Sequence, residues 1–126
     1  MESTVLVVDD DDAIRALVTR ILRREHFDIE QASNGEEALN KLRTGSFQTV
    51  VLDLMMPIVS GFEVVRYLNT HEDAGTPCVI VISAATERDL RSIDSPYVHT
   101  VLRKPFEMAD LIAAVRACSA CAAPHA

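Results

Sequence analysis

The sequence predicts an α/β fold in which helices cover both faces of a parallel β-sheet. Three stretches, 4–8, 49–52 and 78–82, are continuously apolar and lack the alternation of a half-exposed strand. Strands of this kind are typical of parallel sheets, whose two faces are both buried. Helical patterns follow the strands, so the chain is expected to form five strand–helix units with right-handed crossovers, a (βα)5 arrangement in three layers.

The N-terminal third contains two of these units. The first strand, 4–8, leads into a helix from residue 12, whose apolar residues recur at helical spacing: Ile14, Leu17, Val18, Ile21 and Leu22. The second strand, 27–31, alternates apolar and charged residues, which indicates a strand at the sheet edge. Ser33 and Glu36 match a capping box for a second helix, which is predicted to run through Leu42 and to end at Gly45.

The third unit begins with strand 49–52 and places Asp53 at the C-terminal end of that strand. Pro57 and Gly61 indicate a turn before the third helix. The fourth strand, 78–82, ends at Ser83 and is followed by a short charged helix at 86–93. The fifth strand, 97–102, runs into Lys104, and a last amphipathic helix follows with these residues on one face: Leu111, Ile112, Val115 and Cys118.

Composition predicts one globular domain, at 1–118, followed by a disordered tail at 119–126. A chain of 126 residues with 48% hydrophobic content can bury a core without metal or disulfide support. The net charge of −7 argues against direct nucleic-acid binding. The sequence has no signal peptide and no apolar run long enough to span a membrane, so we expect a cytoplasmic protein that does not bind membranes.

The three cysteines are expected to be thiols, because a reducing compartment keeps them so. Cys78 is predicted to be a packing residue of the core. Cys118, Cys121 and His125 have a zinc-like spacing, but three ligands on a fraying tail make a poor site, so no zinc is predicted there.

Four of the five predicted strands end in a residue whose side chain can react or bind an ion. In a parallel sheet, the C-terminal ends of all strands lie on the same side, so these residues are expected to lie close together. The residues are Asp9 and Asp10, Asp53, Ser83 and Lys104. Carboxylates gathered at one place raise one another's pKa unless a cation intervenes, and oxygen ligands favour Mg²⁺. Together with an ammonium and a hydroxyl, such a site is equipped for phosphoryl transfer, with Asp53 as the acceptor. Taken one at a time, the acids and Ser83 are equally interpretable as caps, and Lys104 as a surface lysine.

In order and spacing, four motifs resemble those of a two-component response regulator receiver (CheY-like) domain over residues 4–117. They are the acid pair after Val-Leu-Val-Val, the run Leu-Asp-Leu-Met-Met-Pro followed by Gly61, the segment Val-Ile-Ser-Ala, and Lys-Pro-Phe. The resemblance implies a flavodoxin-like sheet with strand order 2-1-3-4-5. It also implies that a histidine kinase or phosphotransfer protein phosphorylates Asp53. For Mg²⁺ it implies that Asp10 is a direct ligand, that Asp9 binds mainly through water, and that the Met55 backbone carbonyl is a further ligand.

The same resemblance implies a switch. Ser83 would grip the phosphoryl oxygen and change partner binding on the face formed by the fourth helix, fifth strand and fifth helix, and the Lys104–Pro105 bond would be cis. Partners would be a downstream protein or an output domain in a longer chain, with a phosphorylation-dependent homodimer left open. The family's switch aromatic is replaced by Val101. Tyr97 or His99 would substitute for it, or would simply fill the sheet edge.

Other functions fit the sequence less well. A pseudo-receiver that binds partners without phosphorylation is supported mainly by Val101. A Mg²⁺ phosphatase acting on small substrates requires a second acid two residues after Asp53, where Met55 stands. A P-loop nucleotide enzyme is excluded because the sequence lacks its glycine-rich motif. The protein is therefore expected to be a signalling module rather than an enzyme with an external substrate.

Overall fold

Five strands and five helices alternate along the chain in the computed structural model, which describes residues 4–71, 77–84, 87–91, 93 and 95–122. The elements are β1 (Thr4–Val8), α1 (Asp12–Arg24), β2 (Asp28–Ala32), α2 (Gly35–Thr44), β3 (Thr49–Asp53), α3 (Gly61–Thr70), β4 (Cys78–Ser83), α4 (Glu87–Arg91), β5 (Val98–Arg103) and α5 (Met108–Ala122). Each predicted element is present; β1 has the predicted bounds, and where an end of another element differs from the prediction, it does so by one to four residues.

The sheet is parallel throughout and has the order β2-β1-β3-β4-β5, which confirms the predicted fold class and strand order. Two apolar clusters fill its faces, one under α2, α3 and α4 and the other under α1 and α5. Neighbouring residues of a strand point to opposite clusters, as Val50 and Val51 do, and both are buried. The continuous apolar strands therefore reflect burial on both sides of the sheet.

Helix α1 begins where predicted, but its apolar face is narrower than the sequence pattern indicated. Asp11 caps the helix, since its side chain accepts hydrogen bonds from the Ala13 and Ile14 amides. Val18 and Leu22 are buried, whereas 47% of the Leu17 surface is exposed. Leu17 shares the helical spacing of the apolar residues but lies outside the buried centre of that face.

The predicted capping box of α2 is displaced by one residue. Asn34, rather than Ser33, caps the helix, and its Oδ1 accepts a hydrogen bond of 2.8 Å from the Glu37 amide. The Glu37 carboxylate in turn accepts from the Ser33 amide at 2.9 Å. Asn34 and Glu37 are thus the side chains that hold the start of the helix.

The C-terminal region departs from prediction in two respects. Helix α5 continues to Ala122, past the expected boundary at Cys118, because the added residues include alanines, which favour helix. Cys78 and Cys118 form a disulfide instead of remaining thiols, since the fold brings their Cα atoms to 5.6 Å. His125 lies outside the described residues, so the absence of a zinc site on the tail stays a prediction. No helix within the described ranges has the length and apolarity needed to cross a membrane.

Candidate functional site

The carboxyl ends of β1 and β3 bring together the acids predicted to form the site. Val8 pairs with Leu52, so Asp9 and Asp53, which follow them, lie next to each other on adjacent strands. Each is only 4% exposed, whereas Asp10 faces solvent. One carboxylate oxygen from each of the three lies within 4.8 Å of the others. The open α/β sheet thus assembles a cluster of three acids at the position where such sheets bind ligands.

Lys104 closes the site from the other side. Its Nζ donates to Asp9 Oδ2 at 3.2 Å and to Asp53 Oδ2 at 3.3 Å. Its backbone amide donates to the Ser83 carbonyl at 3.0 Å, which fixes the end of β5 against the end of β4. The Lys104–Pro105 bond is cis, as the resemblance implied. One ammonium therefore bridges the two buried carboxylates.

Backbone amides orient the two buried acids further. Asp9 Oδ1 accepts from the Asp11 amide at 2.9 Å, and Asp53 Oδ1 accepts from the Met55 amide at 3.1 Å. In each acid, one oxygen is thus held by a nearby amide and the other by Lys104. Arg15 donates to the Asp9 backbone carbonyl at 2.7 Å, so the first turn of α1 is tied to the same strand end.

Gly61 allows α3 to begin directly against the strand end that carries Asp53. A Cβ at this position would lie 2.3 Å from the Asp53 carbonyl oxygen and 2.6 Å from Leu54 Cα. Both are backbone atoms that cannot rotate away. The Gly61 amide also donates to the Leu54 carbonyl at 3.0 Å, which closes the loop between β3 and α3. The predicted turn is therefore a close contact that only glycine permits.

The electrostatics of the cluster follow from burial and proximity. Burial raises the pKa of Asp53 above its ordinary 3.8, and the Asp9 charge adds to this effect, while the Met55 amide and Lys104 oppose it. Burial alone would lower the pKa of Lys104, but the attraction of Asp53 and Asp9 outweighs it and leaves the value above 10.5. The ammonium is thus charged at neutral pH, and the site has an excess of negative charge that a further cation would relieve.

The donor set fits a hard divalent cation such as Mg²⁺. The donors are carboxylate oxygens, within reach of a common ion, and the exposed Asp10 leaves one side open to water. Mg²⁺ usually retains several waters and uses few protein ligands, which suits a shallow site at a sheet edge. The side chain of Met55 is 54% exposed beside this opening and offers no acid or amide group.

Ser83 lies close to the acid cluster, while the alternative switch residues lie far from it. Asp53 pairs with Ile82, so Ser83 stands one residue beyond on the neighbouring strand, fully buried. Tyr97 precedes β5 and His99 is the second residue of that strand, whereas Ser83 pairs with Arg103 at the other end of it. Their position favours the interpretation that they fill the sheet edge. Val101 is 40% exposed on β5.

An apolar groove beside Lys104 was missed by the sequence reasoning. It encloses about 400 Å³ between the start of α1 and the loop after β5, and these residues line it: Ile14, Leu17, Lys104, Pro105, Phe106 and Met108. Leu17 and Met108 are 47% and 54% exposed. The sequence did not indicate the groove, because Leu17 has the spacing of a core residue of the helix. The groove places apolar surface next to the acid cluster.

Comparison with known proteins identifies a family match and several similar sequences. The family described as response regulator receiver domain matches residues 5–116. The transcriptional regulatory protein SrrA of Staphylococcus aureus is 32% identical over 117 residues, covering 93% of this chain and 48% of SrrA. The chain thus spans about half the length of the curated relatives it matches.

Two solved structures are similar over nearly their whole length. The signal receiver domain of a response regulator from Bermanella marisrubri is 33% identical with a TM-score of 0.84, covering 93% of this chain and 98% of that one. The response regulator protein TrrA from Thermotoga maritima, solved in complex with Mg²⁺-BeF, is 31% identical with a TM-score of 0.82, covering 94% of this chain and 99% of that one.

Proposed function

The chain belongs to the response regulator receiver domain family, and we propose that it signals by accepting a phosphoryl group on Asp53 in a Mg²⁺-dependent reaction. One observation carries this proposal. A buried carboxylate at a strand end is held between a backbone amide and an ammonium, with two further acids within 4.8 Å. This arrangement keeps one nucleophilic oxygen in place while charge is neutralised around it.

The phosphoryl donor is proposed to be a histidine kinase or phosphotransfer protein. A carboxylate oxygen of Asp53 forms a bond to phosphorus as the phosphorus–nitrogen bond of phosphohistidine breaks, and the electron pair leaves with the imidazole. Lys104, now bridging Asp9 and Asp53, supplies a positive charge to the transferred oxygens. Ser83 is proposed to donate its hydroxyl hydrogen to the phosphoryl group from the neighbouring strand.

The metal ligands are proposed to be Asp9, Asp10, Asp53 and the Met55 backbone carbonyl. When bound, Mg²⁺ would neutralise charge on the phosphoryl oxygens during transfer. Asp9 and Asp53 provide buried oxygens already oriented by amides, and the solvent-facing Asp10 completes the acid set. The Mg²⁺-BeF complex of the similar TrrA protein supports the choice of ion.

The apolar groove beside Lys104 is proposed to be the docking surface for the phosphodonor protein. It combines exposed apolar side chains with the lysine of the acid cluster, so a helix laid in it would bring its histidine to Asp53. Leu17→Glu should reduce phosphotransfer from a donor protein at least about tenfold, because it buries a charge in the interface. The same variant should react with acetyl phosphate at the wild-type rate.

A matched control for this docking test is Asn40→Glu, which introduces the same charge on an exposed position of α2. It should leave both reactions unchanged. Equal slowing of both reactions by Leu17→Glu would mean that the variant disturbs the acid cluster itself, and unchanged transfer from the protein donor would exclude the groove as the docking surface.

The output is proposed to act through the face formed by α4, β5 and α5. The Ser83 carbonyl accepts from the Lys104 amide, so a displacement of the end of β4 is transmitted to β5. The recipient is proposed to be a downstream protein in the cytoplasm or an output domain in a longer chain. SrrA, which is about twice as long as the matched region, is a transcriptional regulatory protein and illustrates the second arrangement.

A pseudo-receiver that binds partners without phosphorylation remains the second candidate. The specific observation in its favour is Val101, which is 40% exposed on β5 and too small to swing between two positions as an aromatic ring does. The acid cluster argues the other way, because partner binding alone gives no reason to bury two carboxylates around one ammonium.

Intact mass after incubation with acetyl phosphate and Mg²⁺ distinguishes the two candidates. The wild-type chain should gain one phosphoryl group, and Asp53→Asn should gain none. Chelation of Mg²⁺ should abolish the gain. A wild-type chain that stays unmodified under these conditions would favour the pseudo-receiver, and phosphorylation of Asp53→Asn would exclude Asp53 as the acceptor. Size-exclusion chromatography of the same samples tests for a phosphorylation-dependent homodimer.

A further inference from the structure

The disulfide joins β4 to α5 near the N-terminal ends of the strands, whereas the acid cluster lies at their C-terminal ends. Cys78 is the first residue of β4 and pairs with Thr49, the first residue of β3, whereas Asp53 is at the other end of that strand. Cys118 lies in the C-terminal half of α5. The two residues are 5% and 0% exposed and belong to the apolar cluster beneath α1 and α5. The bond therefore attaches the helix to the sheet.

A histidine accompanies the two sulfurs. Val98 pairs with Val79 and Thr100 with Ile80, so His99 is an additional residue, accommodated by an irregularity in the β4–β5 ladder. Bulges of this kind redirect a side chain to a face it would not otherwise reach. One ring nitrogen of His99 lies within 4.8 Å of both sulfurs. Its Nδ1 is 2.7 Å from Thr100 Oγ1, which holds the ring in position.

We propose that Cys78, Cys118 and His99 form a redox site, in which the two cysteines interconvert between thiols and the disulfide. An imidazole beside a thiol promotes the thiolate, which is the reactive form. In a reducing cytoplasm the pair is reduced, and it closes when the pool of small disulfides rises. The site is independent of phosphorylation at Asp53, so either proposal can fail without the other.

The oxidation step balances with a low-molecular-weight disulfide such as oxidised glutathione. His99 accepts the thiol proton of Cys78, the more exposed of the pair, and the thiolate attacks one sulfur of the small disulfide. The sulfur–sulfur bond of that molecule breaks and its other half leaves as a thiol. Cys118 then attacks the mixed disulfide and releases the second half. Two electrons pass to the oxidant, and its two thiol products carry the two protons.

The consequence falls on α5 and the face it shares with β5. Closed, the bond fixes the later turns of α5 to the start of β4. When the bond is open, the helix is held there by packing of Val115 and its neighbours and by the ion pair of Arg116 with Glu25, the residue that follows α1. Oxidation thus stiffens the proposed partner-binding face from the end of the strands that lies opposite Asp53.

Thiol counting under denaturing conditions tests the chemistry. After oxidised glutathione, alkylation should modify one of the three cysteines, Cys121, and after dithiothreitol it should modify all three. Peptide mapping should identify Cys78 with Cys118, and the cycle should be reversible. Cys121→Ser should behave in the same way with no free thiol left when oxidised. A bridge that includes Cys121, or three thiols that persist in excess oxidant, would overturn the proposal.

Thermal unfolding tests the clamp. Reduction should lower Tm by about 10 °C, because the bond closes a loop of 40 residues in the unfolded chain. Cys78→Ala/Cys118→Ala should have one Tm under both conditions, and Cys118→Ala alone provides the same comparison if the double variant does not fold. An identical Tm for the oxidised and reduced wild-type chain would exclude a clamp.

The role of His99 has its own readout. His99→Gln should slow oxidation about tenfold or more at neutral pH without changing the final disulfide, because only the proton acceptor is lost. His71→Gln, which changes an exposed histidine at the end of α3, is the matched control and should have no effect. Unchanged oxidation in His99→Gln would remove the histidine from the site. Retention of one Zn²⁺ per reduced chain, lost in His99→Gln, would indicate a metal site and overturn the redox assignment.

Discussion

Replacing Lys104 by methionine should destabilise the fold at neutral pH, because it leaves two buried acids without their shared counter-ion. The Nζ atom lies 3.2 Å from Asp9 Oδ2 and 3.3 Å from Asp53 Oδ2. With an effective dielectric constant near 20, each contact has a gross attraction of about 5 kcal/mol. The variant also no longer incurs the cost of desolvating the ammonium, whose side chain is 18% exposed, and this offsets much of the lost attraction. We expect a net loss of about 2–3 kcal/mol in the free energy of unfolding.

The dependence on pH follows from the direction of both pKa shifts. The pKa of Lys104 is raised, so the stability from its ion pairs is present below pH 10.5 and is lost as the pH rises through the higher folded value. The pKa of Asp53 is raised above 3.8, so this acid is neutralised early on acidification and the repulsion with Asp9 disappears. The deficit of Lys104→Met should therefore be largest near neutral pH and shrink towards both extremes.

Urea unfolding at pH 7 without divalent ions measures the effect. The midpoint should fall with an unchanged slope, which indicates a loss of stability rather than a change in compactness. Added Mg²⁺ should recover part of the loss. The double variant Asp53→Asn/Lys104→Met is the control and should be destabilised by less than about 1 kcal/mol, because one acid remains. A Lys104→Met midpoint equal to that of the wild type, or a double variant as unstable as the single one, would refute the reasoning.

Three further predictions concern the same strand end. Asp53→Asn should raise the free energy of unfolding at pH 7 without metal, because burial raises the pKa of Asp53 and its charged form at pH 7 therefore destabilises the fold. Chemical denaturation at pH 7 and pH 4 measures this, since the difference from the wild type should shrink at the lower pH. A variant less stable than the wild type at pH 7 would contradict the prediction. Gly61→Ala should lower the free energy of unfolding by about 2–3 kcal/mol and slow phosphorylation by acetyl phosphate, because the added Cβ would lie 2.3 Å from the Asp53 carbonyl oxygen. Gly45→Ala is the control in both assays, since its Cβ would have its nearest contact at 3.1 Å. Equal effects of the two substitutions would argue against the clash. Met55→Asn should speed loss of the phosphoryl group about threefold or more by orienting water at the exposed rim; decay at the wild-type rate, followed by intact mass, would remove that role.

The sheet and the acid cluster were predictable because both depend on a simple rule. Strands buried on two faces are continuously apolar, and in a parallel sheet the residues after them share one edge. The order of the strand ends therefore predicted that Asp9, Asp53 and Lys104 lie together. In the structure, the Lys104 ammonium is within hydrogen-bonding distance of both carboxylates.

The remaining features depend on packing angles and loop paths that a single sequence does not contain. The contact of Cys78 with Cys118 joins the start of a strand to the far part of a helix, and no motif marks it. The exposure of Leu17 depends on how α1 lies on the sheet. The cap of α2 was displaced by one residue because Ser33 and Asn34 are both good caps and the local chain path decides between them.

The contact between Lys104 and Asp9 spans 95 positions of the chain. During synthesis from the N-terminus, Asp53 and its neighbouring acids emerge long before the lysine that joins them. A nascent chain arrested before residue 104 can form the first three strands yet lacks the ammonium that would steady a transferred phosphoryl group. The phosphoryl group proposed for Asp53 therefore has no completed receptor until residue 104 has been synthesised.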